Sequence, residues 1–565
     1  MSSSIKKIIS ICIATFFSLS SFAVNNSNMF VTSLGAPLKA HMANEFTIGL
    51  RTPEKILRNS TLDEYFPTID IASDTTGVRV VFSYMDQEDS HLTVMVMKGE
   101  DDWEVGRLMR LLRAQENVKW IQPIYISKDD PREYFSMNMN DPLFGSQLRH
   151  PIMRNPDAWE LSTGSGVVIA VTDDGADLLH EDLKDNIWTN PGEIAGNKID
   201  DDNNGFVDDI NGWDFSDEDN SPLERGLGHG THVTGIIAAT GNNGVGVVGT
   251  AHGAKVMPIR FYGGKREWNS LLVAEAYTYA IENGAKIITT SYGIDSFIND
   301  PVYLATLDYA YRSKMLMFNS GGNNGYQNPR RGVYHEIFLV GSTQVVAGSK
   351  DVKSRDSNYG HCIDLMAPGD EIKSTSPRDR YTLKSGTSMA SPNAAAVAAL
   401  IWSKYPEWTW NQVAAQLIGT CDNIDHLNGS YKNQMGAGRV NSYRALTEKL
   451  APPIIKKVLE LQGNNVGSLK SLSLLLGNVF DGKSVNDANA FELKNLNSKK
   501  IIEIKREGDY RIAANIIKFK FPSLAPGKYR FVARNTLKDP FGNSLDGNRD
   551  GVSGDDYVLN FMVGK

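Results

Sequence analysis

Between about residues 141 and 448, short continuous apolar runs alternate with longer stretches of helical pattern. The runs are 167–172, 256–259, 287–290, 315–318, 337–340 and 363–366. A strand that is covered on both faces is apolar along its whole length, unlike the alternating strand of a half-exposed sheet. Strands that alternate with helices in this way form a doubly wound, mainly parallel sheet. We therefore predict an α/β fold for 141–448, with ligands bound beyond the carboxyl ends of the strands.

The flanking regions have different patterns. In 24–140, strand-like runs at 78–81 and 92–96 are followed by a helical pattern through Val105, Leu108 and Leu112 and then by a further apolar run from Val118, which together predict an α+β unit. Pro452-Pro453 ends the central region, and the runs 501–504, 516–521 and 529–533 that follow predict an all-β sandwich over 454–565.

The N-terminus has the pattern of a secretory signal. Lys6-Lys7 precede an apolar run over 8–19 and then Ser21-Phe22-Ala23, so we predict a signal peptide at 1–23 that is cleaved after Ala23. An anchoring helix is the alternative, but the run is shorter than the ~20 residues that cross a bilayer, and no later segment qualifies. We therefore expect a secreted, cell-surface or periplasmic protein without a membrane span after signal removal.

Composition narrows the class further. A formal net charge of −8 leaves no basic surplus for binding nucleic acid. After signal removal only Cys362 and Cys421 remain, which is too few for a disulfide framework. The sequence leaves open whether these two cysteines form a disulfide bridge.

Ser388 follows Gly386-Thr387 and precedes a run of small residues, 389–400, that predicts a buried helix. A serine at such a helix start lies where free N–H groups and the helix dipole stabilise a developing negative charge. Pro392 suits a first helical turn. Because serine is also a common N-cap without any chemistry, this segment alone leaves both interpretations open.

Two further segments supply the partners of a nucleophile. His229, in Gly228-His229-Gly230-Thr231-His232, opens another small-residue helix and has the side chain of a general base. A metal pair with His232 is the alternative, but the glutamate and third ligand of a zinc protease are missing. The run 167–172 leads to Asp173-Asp174-Gly175, where a carboxylate would orient the imidazole. Asp-Gly after a strand is also ordinary turn chemistry.

In this order, Asp173-Asp174-Gly175, His229-Gly230-Thr231-His232 and the segment from Gly386 to Pro392 resemble the subtilase family of serine peptidases. The resemblance implies an endopeptidase that forms an acyl-enzyme on Ser388, with His229 as base and Asp173 orienting it. Asp174 departs from the Ser or Thr that most members have and matches kexin-like members. We treat it as tolerated and not as evidence of dibasic specificity.

The resemblance also implies the surroundings of the scissile bond. Asn323 falls at the oxyanion-hole position, and the spacing to Gly325 favours it over Asn324. A turn asparagine without chemistry is the alternative. The substrate would be a protein or peptide bound as an extended strand along Ser291, Tyr292 and Gly293, with Gly321 and Gly322 on the opposite side of the first pocket.

Calcium is the expected cofactor, and no organic cofactor is implied. Asp200, Asp202 and Asn204 alternate before Gly205, and Asp208 follows, which favours an oxygen-rich calcium loop over a merely solvated acidic one. The loop is not an EF-hand, because Asn211 stands where the bidentate glutamate belongs. A second site is implied by resemblance alone, with ligands Asp182, Asn243 and Gln147.

For the flanks, the resemblance implies that 24–140 is an inhibitory propeptide, removed by cleavage between Ser127 and Asn140, so that the enzyme is made as a zymogen. The segment from Asp539 to Gly551 is similar to bacterial immunoglobulin-like domains, whose role is adhesion or stabilisation. The rival hypothesis from another class is a catalytically silent subtilase-fold protein that binds surfaces. The intact set of chemical residues argues against it, and a metalloprotease is a more distant alternative.

Overall fold

The computed structural model describes residues 139–346, 350–461 and 465–564, and the backbone of six strands before them. The predicted signal peptide 1–23, the helical pattern through Val105 and Leu112, and most of the predicted processing segment lie outside the described residues. The chain divides into two compact units, Met1–Glu133 and Tyr134–Lys565.

The first unit contains an antiparallel sheet of four strands, in the order Arg79–Met85, His91–Lys98, His41–Thr52 and Val118–Ile126. A short antiparallel pair joins Phe30–Val31 to Pro37–Leu38. The apolar runs 78–81 and 92–96 coincide with the first two strands of the sheet.

The second unit is built on an eight-stranded, mainly parallel sheet, which confirms the predicted fold class. Its strands in spatial order are Lys350–Lys353, Ile337–Val346, Leu316–Ser320, Ile287–Thr290, Val168–Asp173, Lys255–Arg260 and Trp213–Asp214, with Leu365–Asp370 also paired to Ile337–Val346. Only the pairing of Lys350–Lys353 is antiparallel among these strands. Each predicted apolar run lies at one of the parallel strands.

Helices cover both faces of this sheet, because both faces of its strands are apolar. Ile169 and Val171 face a core that includes the helices His229–Ala238 and Thr387–Lys404. Ala170, between them, faces a second core. That core includes the helices Ser270–Glu282 and Pro301–Arg312. The remaining helices of this region are Arg149–Met153, Asn155–Trp159, Trp410–Gly419 and Ser442–Thr447, and a hairpin joins Ile372–Ser376 to Arg380–Lys384.

The C-terminal region forms two further sheets, as predicted for a sandwich. One sheet contains Ile455–Val458, Ser471–Leu476, Ile516–Lys520 and Lys505–Arg506. The other contains Asn465–Val466, Tyr557–Val563, Gly527–Ala533, Phe491–Asn495 and Ile501–Ile502. Leu474 and Phe519 from the first sheet share a core with Leu493 and Phe531 from the second. A single-turn helix, Gly482–Asn486, lies between strands in the sequence.

The C-terminal sheets are fixed to the region of the parallel sheet by Arg511. Its guanidinium lies 2.8 Å from Asp308 and 3.5 Å from Glu336, and it stacks 4.3 Å above the ring of Tyr311. Ile512 and Ala513 enter the core beneath the parallel sheet. Charge pairing, ring stacking and burial thus act together at this contact.

Of the two alternatives left open for the cysteines, the structure has no bridge, because Cys362 and Cys421 are both free thiols. No helix within the described residues has both the length and the hydropathy needed to cross a membrane.

Candidate active site

Asp173 and His229 meet at the carboxyl edge of the parallel sheet. Asp173 is the last residue of the strand Val168–Asp173, and His229 is the first residue of the helix His229–Ala238. Gly228 precedes that helix with φ +62°, a left-handed conformation that glycine adopts without strain. The two carboxylate oxygens of Asp173 lie 2.8 and 3.0 Å from Nδ1 of His229.

This hydrogen bond determines the state of the imidazole. Because a carboxylate accepts at Nδ1, the neutral ring carries its proton there and leaves Nε2 as an acceptor. The negative charge of Asp173 raises the pKa of His229 above its ordinary value of 6.5. His229 is therefore arranged to accept a proton at Nε2 and to be stabilised once protonated.

Asp174 has a separate task at the same helix end. Its carboxylate accepts the backbone N–H groups of His229 at 3.1 Å and Gly230 at 2.6 Å, so it caps the helix. Burial, together with the neighbouring charge of Asp173, raises the pKa of Asp174 to about 6. A side chain on Gly230 would collide with the backbone carbonyl oxygen of Gly175, which explains the glycine at position 230. The departure from the family pattern thus has a structural role.

Ser388 lies in the first turn of the helix Thr387–Lys404 and is joined to Ser291 by two hydrogen bonds. Its hydroxyl donates to the Ser291 carbonyl at 3.0 Å, and the Ser291 hydroxyl donates to the Ser388 carbonyl at 2.9 Å. No hydrogen bond joins Ser388 Oγ to His229 within the described part of the chain. The helices that carry Ser388 and His229 pack against each other, and Lys384 Nζ donates to the Gly228 carbonyl at 2.9 Å.

Asn323 is held by Thr387, the residue before Ser388. Its Oδ1 accepts both the backbone N–H and the hydroxyl of Thr387, each at 2.8 Å, which directs Nδ2 the other way. Gly386 has φ +147°, and a side chain there would come within 3.2 Å of Asn323 Nδ2. Asn324 is held apart by Asn358, which accepts its backbone N–H at 3.2 Å. Asn323 is therefore the asparagine next to Ser388.

Three of the five substrate-binding residues predicted from the sequence, Ser291, Tyr292 and Gly293, line a cleft of about 740 Å³. Asp173 and His229 line the same cleft, whereas Gly321 and Gly322 are not among its lining residues. Phe261, Tyr262 and Trp268 give it an aromatic lining. The turn Gly321–Gly322 is fixed by Asn358, whose Nδ2 donates to the Gly321 carbonyl at 2.9 Å.

Asp182 and Asn243 lie together, as the second predicted cation site requires. Asn243 Nδ2 donates to Asp182 Oδ1 at 2.9 Å, and burial raises the pKa of Asp182 to about 6. Gln147 Oε1 already accepts the backbone N–H of Val248 at 2.8 Å. Asp141, which the sequence analysis did not select, has a buried Oδ1 without a hydrogen-bond partner among the described residues. Two buried carboxylates, those of Asp141 and Asp182, are ligands of the kind that a hard cation such as Ca²⁺ takes.

The acidic loop also brings carboxylates together. Oxygens of Asp200 and Asp202 lie close to one another and to Glu193, a residue that the sequence analysis missed. Asn204 is adjacent, with Nδ2 donating to Asp202 at 3.2 Å. Both oxygens of Asp208 accept backbone N–H groups from elsewhere in the loop, at 2.7 and 2.9 Å. The oxygen cluster fits a calcium loop centred on Glu193, Asp200 and Asp202.

Comparisons with known proteins point to one family. A profile described as the Subtilase family matches residues 164–438, a span that contains Asp173, His229 and Ser388. Thermitase from Thermoactinomyces vulgaris is 34% identical over 309 residues, which is 54% of this chain and 98% of thermitase. A thermophilic serine proteinase from a Bacillus species is 30% identical over 350 residues, which is 61% of this chain and 77% of that protein.

A solved structure described as proteases from Pseudoalteromonas arctica is 27% identical, with a TM-score of 0.42, and covers 55% of this chain and 99% of that chain.

Replacing Asp174 with alanine should lower the free energy of unfolding by about 1–2 kcal/mol, since two backbone N–H groups lose their acceptor. The contribution of Asp174 should also depend on pH. Because its pKa is raised from 3.8 to about 6, the stability it adds is largest below 3.8 and declines as the pH rises through 6.

The advantage of wild type over Asp174→Asn, which cannot ionise, should therefore shrink with rising pH across that window. Thermal unfolding at stepped pH, in a Ser388→Ala background that prevents self-digestion, measures both effects. An advantage that grows with pH would contradict the assignment.

Proposed function

The chain belongs to the subtilase family of serine endopeptidases, and we propose on that basis that Ser388, His229 and Asp173 are its catalytic triad. The observation that carries the proposal is the Asp173–His229 hydrogen bond at 2.8 Å, in the same cleft as the Ser291 segment that holds Ser388. The three residues arise from separate parts of the chain, yet they end at one edge of the sheet.

The reaction follows from the hydrogen-bonding capacity of each group. Ser388 Oγ gives its proton to His229 Nε2 and attacks the peptide carbonyl, while Asp173 stabilises the imidazolium. Nε2 then gives the proton to the leaving amine, which leaves an acyl-enzyme that water hydrolyses by the same proton relay. The Ser388 hydroxyl turns from the Ser291 carbonyl to Nε2 for this step, as catalytic hydrogen bonds often tighten only with substrate bound.

Asn323 is proposed as the side-chain donor of the oxyanion hole. Thr387 occupies its Oδ1, so Nδ2 is left to donate, and the backbone N–H of Ser388 in the first helical turn supplies a second donor. Ser291, Tyr292 and Gly293 would pair with the substrate backbone as an added strand. Gly321 and Gly322 would form the facing wall of the first pocket.

The remaining parts of the chain complete the proposal. Residues 1–23 are proposed as a signal peptide that directs secretion, 24–140 as an inhibitory propeptide, 141–448 as the peptidase domain and 454–565 as an accessory immunoglobulin-like domain. The antiparallel sheet of the first unit supports a separately folded propeptide. The Arg511 contact favours a stabilising role for the accessory domain over a freely tethered adhesive one.

Calcium is proposed at two sites with a structural role. Asp141, Asp182 and Asn243 would hold one ion, which neutralises buried carboxylates that otherwise repel each other. Glu193, Asp200 and Asp202 would hold the other, with Asn204 beside them. Ion binding at either site stabilises the folded loop and takes no part in the proton relay.

A fluorophosphonate probe should label the mature protein at Ser388, and Ser388→Ala should abolish the labelling. Ser403→Ala is the matched control, because Ser403 is at the far end of the same helix and bonds to the Ser165 carbonyl. Labelling is read by mass spectrometry of the modified peptide. A folded, processed protein that does not label would favour the alternative of a silent surface-binding protein.

The pH dependence of kcat/KM should show an acid limb above pH 6.5. His229 acts as a base only when neutral, and Asp173 holds its pKa above 6.5, so activity should fall as the pH drops through that raised value. Lys384 acts in the opposite direction on this pKa, so Lys384→Met should move the limb further upward. The measurement is the rate of cleavage of a peptide substrate at a series of pH values. An acid limb of kcat/KM centred below pH 6.5 would contradict the assigned role of Asp173.

Removing calcium should lower the thermal unfolding midpoint of the Ser388→Ala protein. An ion present at 100 times its dissociation constant contributes about 2.7 kcal/mol to the folded state. Asp141→Asn should remove part of the difference in unfolding midpoint between protein in calcium and protein in EGTA, and Asp200→Asn should remove a separate part of that difference. Gln147→Leu is the control for the first site. If the effect of calcium on the unfolding midpoint depends on Gln147 but not on Asp141, the ligands of this site are those predicted from the sequence, Asp182, Asn243 and Gln147.

A further inference from the structure

The two glycine segments proposed as walls of the first pocket approach the same side chain, that of Arg331. A Cβ atom built on Gly293 lies 3.4 Å from Arg331 Nη2, and one built on Gly322 lies 3.8 Å from Arg331 Cζ. Gly322 has φ +98°, and its added Cβ would also collide with the amide of Asn358. The Arg331 guanidinium therefore lies next to both glycines.

Arg331 is buried, with 6% of its surface exposed, and it ties the walls together. Its Nη1 donates to the Ser320 carbonyl at 2.7 Å, to Asn319 Oδ1 at 3.1 Å and to the Tyr292 carbonyl at 3.4 Å. The Ser320 carbonyl adjoins the proposed wall of Gly321 and Gly322, and the Tyr292 carbonyl belongs to the proposed wall of Ser291, Tyr292 and Gly293. The guanidinium thus fixes the separation of the walls as well as the electrostatics between them.

Asp295 neutralises this guanidinium from the side of the cleft. Its Oδ1 accepts the backbone N–H of Arg331 at 3.0 Å, and its Oδ2 accepts Nε at 2.9 Å and pairs with Nη2. Asp295 lines the cleft together with His229 and Ser291. Its side chain is 36% exposed, against 7% for that of Arg331, so the carboxylate is the more accessible member of the pair.

We propose that the Arg331–Asp295 pair selects the substrate residue before the scissile bond, and that it favours an uncharged side chain with both a donor and an acceptor, namely glutamine or asparagine. The inference rests on the proposed function, because it concerns the substrate of the same site. Arg331 and Asp295 are specificity residues and take no part in the proton relay.

The preference follows from the charges at the end of the pocket. A carboxamide can donate to Asp295 and accept from Nη2 of Arg331, so it can form a hydrogen bond with each member of the pair. A cationic side chain that reached Asp295 would also lie beside the Arg331 guanidinium, and an anionic one that reached Arg331 would also lie beside the Asp295 carboxylate, so each meets a like charge as well as an opposite one. A large aromatic side chain would desolvate the ion pair without returning a hydrogen bond.

The test uses processed enzyme that retains its C-terminal sheets, and peptides that differ only in the residue before the scissile bond: Gln, Asn, Lys, Glu and Phe. Wild type should cleave the Gln peptide with a kcat/KM at least ~10-fold above those for Lys, Glu and Phe. Arg331→Met leaves Asp295 unpaired and should raise the Lys-to-Glu ratio by ~10-fold or more. Asp295→Asn leaves Arg331 unpaired and should lower that ratio by a similar factor.

Arg330→Met is the matched control, because Arg330 is the adjacent arginine and its side chain is exposed. The control should keep the wild-type ranking. If Arg331→Met does not fold, Asp295→Asn decides, since the residue it changes is partly exposed. A purely structural role for the pair would lower all rates together and leave the ranking unchanged.

Fluorophosphonate labelling of the same preparations distinguishes failure of the proposed peptidase function from failure of the proposed specificity. Wild type that is folded and processed but does not label would refute the proposed function itself. Labelled protein whose ranking is the same in wild type, Arg331→Met and Asp295→Asn would overturn the inference alone. Wild type that prefers Phe, Lys or Glu to Gln would overturn it as well.

Discussion

The site depends on two adjacent carboxylates that hold one helix end. Asp173 bonds to the ring of His229, and Asp174 bonds to the backbone of His229 and of Gly230. One carboxylate therefore sets the ring orientation, and the other sets the position of the helix from which the ring extends. The hydrogen bonds of both carboxylates are shorter than 3.2 Å, so a small displacement of the strand end would also move Nε2 of His229.

The other functional groups are placed relative to the same sheet edge. Ser291 continues the strand Ile287–Thr290, which lies next to the strand that carries Asp173, and it bonds to Ser388 in both directions. Thr387 positions Asn323 from the same helix turn. Short parallel strands in fixed register thus act as the common frame for groups that are far apart in sequence.

Sequence patterns predicted the parallel strands and brought Asp173, His229 and Ser388 forward, because apolar runs and glycine-flanked polar residues are local signals. The capping role of Asp174 was not predicted, since it requires the position of a helix that begins 55 residues later. Asp141 and Arg331 were missed for a related reason. Their surroundings in the sequence are ordinary loops. Only tertiary packing leaves Oδ1 of Asp141 without a hydrogen-bond partner among the described residues and places Arg331 next to Gly293 and Gly322.

The helix Thr387–Lys404 carries Ser388 in its first turn and is buried continuously from Met389 to Trp402. Ser388, the proposed nucleophile, is therefore anchored by a helix of the hydrophobic core and not by a separately melting loop. Loops and chain ends can open at little cost in free energy, whereas a buried helix opens only when the whole domain does. The rate at which heated enzyme loses activity should accordingly equal the rate of global unfolding. Residual activity after heating therefore measures the kinetic stability of the domain.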